Sequence, residues 1–173
     1  MKTAVFFANG TEELEALTCV DVLRRTGATC DIVSVSGEYP KGAHGIVVKA
    51  DMPSEECDFD QYDALIVPGG MPGAVNIAED QYAVAGLKKA VADKKLIAAI
   101  CAAPAVVLAS HGLIKGRKAT CYPVPDFIAK LKDCEYTGLD VQTDGNYITA
   151  NGPKSAFAFS MAICEYLGLT AKF

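Results

Sequence analysis

Long apolar runs and basic clusters are both absent from this sequence. No uninterrupted apolar segment reaches the roughly 18 residues that a membrane-spanning helix needs. Lys and Arg never occur in runs longer than a pair, and the formal net charge at pH 7 is -5, so the chain lacks the basic surface that binds a phosphate backbone. We therefore expect no membrane partner and no nucleic-acid partner.

Disulfide, zinc and secretion signals are also missing. The seven cysteines are odd in number and contain no CxxC pair, which indicates neither a disulfide framework nor a zinc ribbon. The opening "MKTAVFFANGTEE" has a short apolar run that Asn9, Gly10 and two glutamates interrupt, so it does not resemble a signal peptide. We expect a cytoplasmic protein, no metal site, and cysteines that are mostly small core residues.

The composition is that of a globular protein. Of the 173 residues, 51% are hydrophobic, which is enough to bury one sizeable core. No internal repeat, low-complexity segment or linker composition interrupts the chain. We therefore predict a single domain over residues 1–173.

Short runs rich in β-branched and aromatic residues alternate with helical patterns along the chain. The predicted strands are 3–9, 28–36, 45–51, 62–70, 96–100 and 117–122, with a hairpin around Asp144 and Gly145. The predicted helices are 12–27, 81–95, 102–112, 124–133 and 153–168. Strand followed by helix, with continuously apolar strands, indicates a mostly parallel sheet with helices on both faces, a flavodoxin-like three-layer α/β sandwich.

Cys101 lies where the predicted strand 96–100 ends and the next helix begins. This is the carboxyl edge of the sheet, where open α/β sheets place their sites, and a sharp turn there presents a nucleophile above the sheet. The first N–H groups of the helix would lower the pKa of the thiol. The alternative is a small residue that fills a crowded turn.

Two other features point to the same edge. Glu15 shares a helix face with Cys19 and Val22, so it interrupts an apolar stripe; a buried glutamate has a raised pKa and can exchange protons with a thiol. Gly69 and Gly70 follow a buried strand and could expose N–H groups that form an oxyanion hole. The alternatives are a solvated glutamate and an ordinary turn.

The segments "NGTEELEA", "DALIVPGGMPGA", "LIAAICAAPAVVLA" and "TANGPKSAFAF" resemble, in order and spacing, the ThiJ/PfpI superfamily. The resemblance covers nearly the whole chain and implies a flavodoxin-like fold and a homodimer. It implies that Cys101 is an oxidation-sensitive nucleophile, that Glu15 is its protonated partner, and that the oxyanion hole is formed by Gly69, Gly70 and Ala102.

The resemblance also implies a function. Members are described as glyoxalases or deglycases that act without a cofactor on small aldehydes such as methylglyoxal, and as redox-responsive chaperones. The first hypothesis is therefore an enzyme of stress protection with Cys101 as nucleophile. The second is a redox sensor or chaperone in which Cys101 is oxidised to a sulfinate. A third is a dimer without catalytic activity.

The sequence departs from the family pattern at two positions. Tyr122 stands where many members have a histidine, and Ala102 stands where the proteolytic branch has one, so peptidase activity is not expected. His111 is expected to interact with the C-terminal dipole of the helix that follows Cys101. The candidate substrate contacts are Tyr122, His44, Asn151 and Pro153.

Overall fold

The computed structural model describes all 173 residues and contains nine strands. They are β1 (Lys2–Phe7), β2 (Thr29–Ser34), β3 (Met52–Pro53), β4 (Ala64–Val67), β5 (Leu96–Ile100), β6 (Lys118–Ala119), β7 (Glu135–Tyr136), β8 (Val141–Asp144) and β9 (Tyr147–Ala150). Seven of them form one sheet in the order β3-β2-β1-β4-β5-β9-β8, in which only the β8–β9 pair is antiparallel. β6 and β7 pair separately, in parallel.

The helices cover both faces of the large sheet. They are α1 (Glu13–Arg25), α2 (Gly73–Glu79), α3 (Gln81–Ala92), α4 (Pro125–Lys130) and α5 (Ala156–Tyr166), together with a π-helical segment over Pro104–Ala109. α1 and α5 pack on one face, and α2, α3, α4 and the π-helical segment pack on the other. The predicted flavodoxin-like fold with a mostly parallel sheet is confirmed.

Alternating strand residues supply two cores, one on each side of the sheet. In β1, Ala4 and Phe6 face the α2 and α3 side, whereas Val5 and Phe7 face α1 and α5. All four are fully buried. Removing each large apolar side chain from water stabilises the fold by roughly 1.5–3 kcal/mol, which explains why these strands are apolar on both faces.

Two sequence-based predictions of secondary structure are wrong. Residues 45–51 form a loop rather than a strand, because the sheet position beside β2 is taken by β3 and the loop folds back on the start of α1. Only an isolated bridge between Lys41 and Val47 is formed there. The predicted strand 117–122 shortens to β6, since the Thr120 N–H donates to the Thr149 hydroxyl rather than to a strand carbonyl.

The sequence also underspecified two helical regions. α2 begins at Gly73, shortly after the glycine turn at 69–70, and was not predicted, because its seven residues are too few to show a clear period. The predicted helix 102–112 contains the π-helical segment in place of a regular α-helix. No helix in the structure has both the length and the apolar character required to cross a membrane.

Candidate active site

Cys101 occupies a strained turn between β5 and the π-helical segment. Its φ is +63°, a left-handed conformation that side chains other than glycine rarely adopt. The Cys101 N–H donates to the Ala150 carbonyl at 2.8 Å, and the Cys101 carbonyl accepts from the Tyr122 N–H at 2.9 Å. These two hydrogen bonds fix the backbone of the turn, so the partly exposed thiol projects above the carboxyl edge of the sheet.

Glu15 projects from α1 into the same place. Its side chain is fully buried, as its position on the apolar helix face predicted. One carboxylate oxygen, Oε2, accepts from the Gly69 N–H at 2.7 Å, and the other, Oε1, is buried without a hydrogen-bond partner. The carboxylate lies against the Cys101 thiol, so the two sequence-predicted groups are brought together.

Gly69 makes this encounter sterically feasible. A Cβ at this position would lie 2.7 Å from Cys101 Cβ and 2.8 Å from Glu15 Oε2, which is closer than side-chain atoms approach one another. At the next position, Gly70 has a φ of +86° and its backbone packs against Glu12. The two glycines therefore allow the end of β4 to pass between α1 and the Cys101 turn.

The three predicted oxyanion donors have different surroundings. The N–H groups of Gly70 and Ala102 are directed at the Cys101 sulfur. The Gly69 N–H is already engaged by Glu15, so it is not free to bind a substrate oxygen. The geometry leaves two donors, Gly70 and Ala102, beside the thiol.

The protonation of the pair follows from its burial. Desolvation raises the pKa of the Glu15 carboxyl to about 7, although the hydrogen bond from the Gly69 N–H and the adjacent Cys101 thiol oppose the increase. Desolvation, followed by the negative charge of Glu15, raises the pKa of the Cys101 thiol, against the opposing N–H groups of Gly70 and Ala102. The expectation that the helix lowers this pKa is therefore wrong, because burial outweighs the N–H groups. Above pH 7 the pair retains one proton.

Three of the candidate substrate contacts line one depression of about 440 Å³. They are Tyr122, Asn151 and Pro153, and the other lining residues are Pro123, Gly152 and Lys154. The Asn151 side chain is committed to the protein, since its Nδ2 donates to Asp140 at 2.8 Å and its Oδ1 accepts from Ser155 at 2.7 Å. Tyr122 is 42% exposed and offers a wall of this depression.

His44, the fourth candidate contact, lies elsewhere. Its Nδ1 is 2.9 Å from Glu13 Oε2, and its backbone N–H donates to Glu13 Oε1 at 2.7 Å. Sequence reasoning missed Glu13 because it stands beside Glu12 in the first turn of α1, and nothing in the pattern separates the two. The other histidine, His111, contacts the Ala78 carbonyl at the end of α2 through Nε2 at 2.8 Å, rather than the end of its own helix.

One cluster in the structure has the donor set of a cation site. The potential ligand atoms of Glu12, Glu13 and His44 lie within 4.8 Å of one another. The Glu13 carboxylate, however, already accepts hydrogen bonds from the N–H groups of His44 and Ile46.

The seven cysteines are all free thiols.

Comparison with known proteins identifies the family. The family model described as "DJ-1/PfpI family" matches residues 1–166. The chain belongs to the DJ-1/PfpI family. It is 38% identical over 169 residues to DJ-1 homolog B of Arabidopsis thaliana, covering 96% of this chain and 38% of that protein. This chain spans about two fifths of the length of the two Arabidopsis relatives that it matches.

Two further DJ-1/PfpI proteins match over most of their own length. A Thermococcus kodakarensis protein named a deglycase is 32% identical over 168 residues, covering 96% of this chain and 99% of that protein. The solved structure described as Toxoplasma gondii DJ-1, oxidized, has a TM-score of 0.89 at 38% identity, covering 96% of this chain and 90% of that one. The family resemblance and the fold are both confirmed.

Proposed function

We propose that this DJ-1/PfpI protein is a cysteine-dependent enzyme of the glyoxalase or deglycase type. It converts 2-oxoaldehydes such as methylglyoxal to 2-hydroxy acids without a cofactor and so protects the cell from reactive aldehydes. The contact between Glu15 and Cys101, beside the free N–H groups of Gly70 and Ala102, carries the proposal. The deglycase name of the Thermococcus kodakarensis relative supports it.

The first step is addition of sulfur to the aldehyde carbon. Because Glu15 and Cys101 share one proton, the Glu15 carboxylate accepts the thiol proton as the C–S bond forms. The carbonyl electron pair moves to oxygen, where the Gly70 and Ala102 N–H groups stabilise the developing charge. Return of the proton from Glu15 to that oxygen gives a neutral hemithioacetal.

The second step moves hydrogen between the two substrate carbons. Glu15 takes the proton from the former aldehyde carbon and an enediol forms; delivery of a proton to the neighbouring carbon then gives a 2-hydroxy thioester. The first carbon is oxidised and the second reduced, so no external oxidant is needed. Water then cleaves the C–S bond, releasing the hydroxy acid and restoring the thiol. With Glu15 as the one evident acid–base group, we expect slow turnover.

The test is consumption of methylglyoxal with formation of lactate by the purified protein. We expect turnover in the wild type and none above background in Cys101→Ala. Cys57→Ala, which removes another partly exposed thiol outside the site, is the matched control and should retain full activity. Equal rates in the wild type and Cys101→Ala would exclude the enzyme.

A redox sensor or chaperone is the second candidate function. A similar solved structure is described as oxidized, and the partly exposed Cys101 thiol is within reach of peroxide. Two molecules of hydrogen peroxide would convert the thiol to a sulfinate, with release of two waters. Peroxide treatment followed by peptide mass spectrometry should then add two oxygen atoms at Cys101; an unmodified Cys101 would rule the sensor out.

The proposal places the protein in the cytoplasm as a homodimer. Seven free thiols fit a reducing compartment.

The start of α1 and the loop beside it expose apolar side chains, with Leu14 60%, Ile46 51% and Val47 58% exposed, and a partner copy would cover these. Sedimentation at micromolar concentration should give the dimer mass, and a monomer would refute this part of the proposal. Peptidase activity is not proposed, because Ala102 stands directly after Cys101, where the proteolytic branch has a histidine.

A further inference from the structure

The depression lined by Tyr122 and Asn151 is formed by the two segments that hydrogen-bond to the backbone of Cys101. Tyr122 donates its N–H to the Cys101 carbonyl, and Asn151 directly follows Ala150, which accepts the Cys101 N–H. Both segments that hold the Cys101 backbone therefore continue into the lining of the depression. At about 440 Å³ it is far larger than a three-carbon aldehyde needs, so a longer substrate could extend into it.

The walls of the depression are mostly uncharged and closely packed. A Cβ on Gly152 would lie 3.1 Å from the Tyr122 ring, so the aromatic wall rests directly on the backbone. Pro123 and Pro153 complete rigid parts of the lining. The Asn151 amide is fixed in orientation by Asp140 and Ser155, so it forms a rigid part of the wall.

Lys154 is the one charged residue of this lining. No carboxylate lies within 4 Å of its ammonium group, so no ion pair neutralises its charge. Its backbone N–H also has no acceptor, since it stands in the first turn before α5. Lys154 thus offers an unpaired cation and a free N–H group in a chain whose net charge is -5.

We propose that Lys154 is a specificity-determining residue that selects 2-oxoaldehydes carrying a carboxylate at the end remote from the aldehyde. The inference rests on the proposed function, because it takes Cys101 as the group that attacks the aldehyde. With the aldehyde at Cys101, the substrate chain follows the Tyr122 wall and its carboxylate meets the Lys154 ammonium. An ammonium group is a point charge with three donors, which accepts a carboxylate in several orientations.

The test compares two substrates of equal carbon number at low ionic strength, 4,5-dioxopentanoate and its neutral counterpart 2-oxopentanal. We expect the wild type to prefer the carboxylate by about fivefold in kcat/KM, as an ion pair near solvent permits. Lys154→Met should abolish this preference without changing kcat/KM for 2-oxopentanal, and Lys154→Arg should retain it. Lys88→Met, which removes an exposed lysine of α3, is the matched control.

Salt provides an independent readout, because screening weakens the contact of Lys154 with a carboxylate. The preference of the wild type should decline as sodium chloride rises, whereas Lys154→Met should show no such decline. Equal kcat/KM for the two substrates in the wild type, or an equal loss for both in Lys154→Met, would overturn the proposal.

Protection of Cys101 from alkylation separates this inference from the proposed function. Each oxoaldehyde forms a reversible hemithioacetal with the thiol and so blocks its reaction with iodoacetamide. If the wild type turns over neither compound, the enzyme proposal fails. The inference on Lys154 then stands if 4,5-dioxopentanoate protects Cys101 at lower concentration than 2-oxopentanal and Lys154→Met removes the difference, and it falls if the two protect equally.

Discussion

Above pH 7 Cys101 and Glu15 hold one proton between them, so the charge of the carboxylate influences when the thiol ionises. Burial and the Glu15 charge both raise the pKa of the Cys101 thiol. Glu15→Gln removes the charge and should shift the pH midpoint of Cys101 alkylation by iodoacetamide to lower values. The same variant should lose methylglyoxal turnover, because the amide cannot accept a proton.

A thiol that ionises more easily, combined with lost turnover, distinguishes a proton acceptor from a group that merely activates the thiol. Glu12→Gln is the matched control, since it removes a neighbouring charge that acts on Glu15 and leaves the backbone contacts of Glu12 with Gly69 and Gly70 in place. It should leave turnover within a few-fold of the wild type. An alkylation midpoint that does not move in Glu15→Gln would show that the two groups are not coupled.

Gly69 is the residue whose lack of a side chain permits the Cys101–Glu15 contact. In Gly69→Ala the new Cβ would meet Cys101 and Glu15 at under 3 Å, so one of them must move. We expect turnover to fall at least tenfold and the free energy of unfolding to fall by about 1–3 kcal/mol, the usual cost of overpacking. Methylglyoxal kinetics and urea unfolding measure the two effects.

Gly112→Ala provides the comparison for that variant. Its φ of +67° makes alanine strained, but a Cβ there has no atom within 4 Å. It should lower stability without lowering turnover. If Gly69→Ala proved as active as Gly112→Ala, close packing around Gly69 would not be what positions the pair.

At the scale of elements, the start of α1 uses three glutamates in three ways. Glu12 caps the helix by accepting from the Leu14 N–H, Glu13 holds the loop that contains His44, and Glu15 faces Cys101. The helical period predicted the inward position of Glu15. It could not predict the role of Glu13, because the partners come from a loop about thirty residues further along the chain.

The contact between Glu13 and His44 should make this loop sensitive to pH. Burial raises the pKa of Glu13, but the hydrogen bonds from His44, from the Ile46 N–H and from its own N–H together outweigh burial and lower it. The hydrogen bond with Glu13, and the charges of Glu12 and Glu13, raise the pKa of His44. The stabilisation of the loop by ionised Glu13 is therefore present above the ordinary Glu13 pKa of 4.5 and is lost as pH falls below it. The stabilisation of the loop by protonated His44 is present below the ordinary His44 pKa of 6.5 and is lost as pH rises through the raised pKa of the folded protein.

Amide hydrogen exchange of residues 43–46 measures the effect. Protection factors should be largest between pH 4.5 and 6.5 and should decrease on either side. His44→Gln should remove the decrease at high pH and keep the one at low pH, since Glu13 still accepts the loop N–H groups. Protection that is independent of pH in the wild type would contradict this account.

At the scale of the whole molecule, stability should depend on the protonation of Glu15. Its pKa is raised from 4.5 to about 7. The contribution of protonated Glu15 to the free energy of unfolding is therefore complete below pH 4.5 and is lost as pH rises through 7. Glu15→Gln should therefore unfold like the wild type at pH 5 and be more stable at pH 8. The raised pKa of Glu15 corresponds to a difference of at most about 3 kcal/mol in the free energy of unfolding.

Urea unfolding at the two pH values checks this prediction. The isosteric amide still accepts from the Gly69 N–H, so the comparison isolates the buried charge. A stability difference that is the same at pH 5 and pH 8 would show that Glu15 does not titrate between them in the folded protein.

The sheet order explains why three distant segments meet at one site. β1, β4 and β5 are adjacent and parallel, so the residues that follow their carboxyl ends lie at one edge. α1 with Glu15 follows β1, Gly69 follows β4 and Cys101 follows β5. Strand–helix alternation predicted the parallel sheet and the position of Cys101 at its carboxyl edge, whereas the contact of Cys101 with Glu15 was implied by the family resemblance.

The sequence by itself determined the features that depend on neighbours in the chain. Apolar strands, the inward face of α1 and the turn at Cys101 follow from local periodicity and from strand–helix boundaries. The tertiary structure alone decided which N–H groups remain free, why residues 45–51 form a loop, and in which direction the pKa of Cys101 moves. Each of these depends on burial, charge and hydrogen bonds contributed by segments far apart in the chain, which no local pattern encodes.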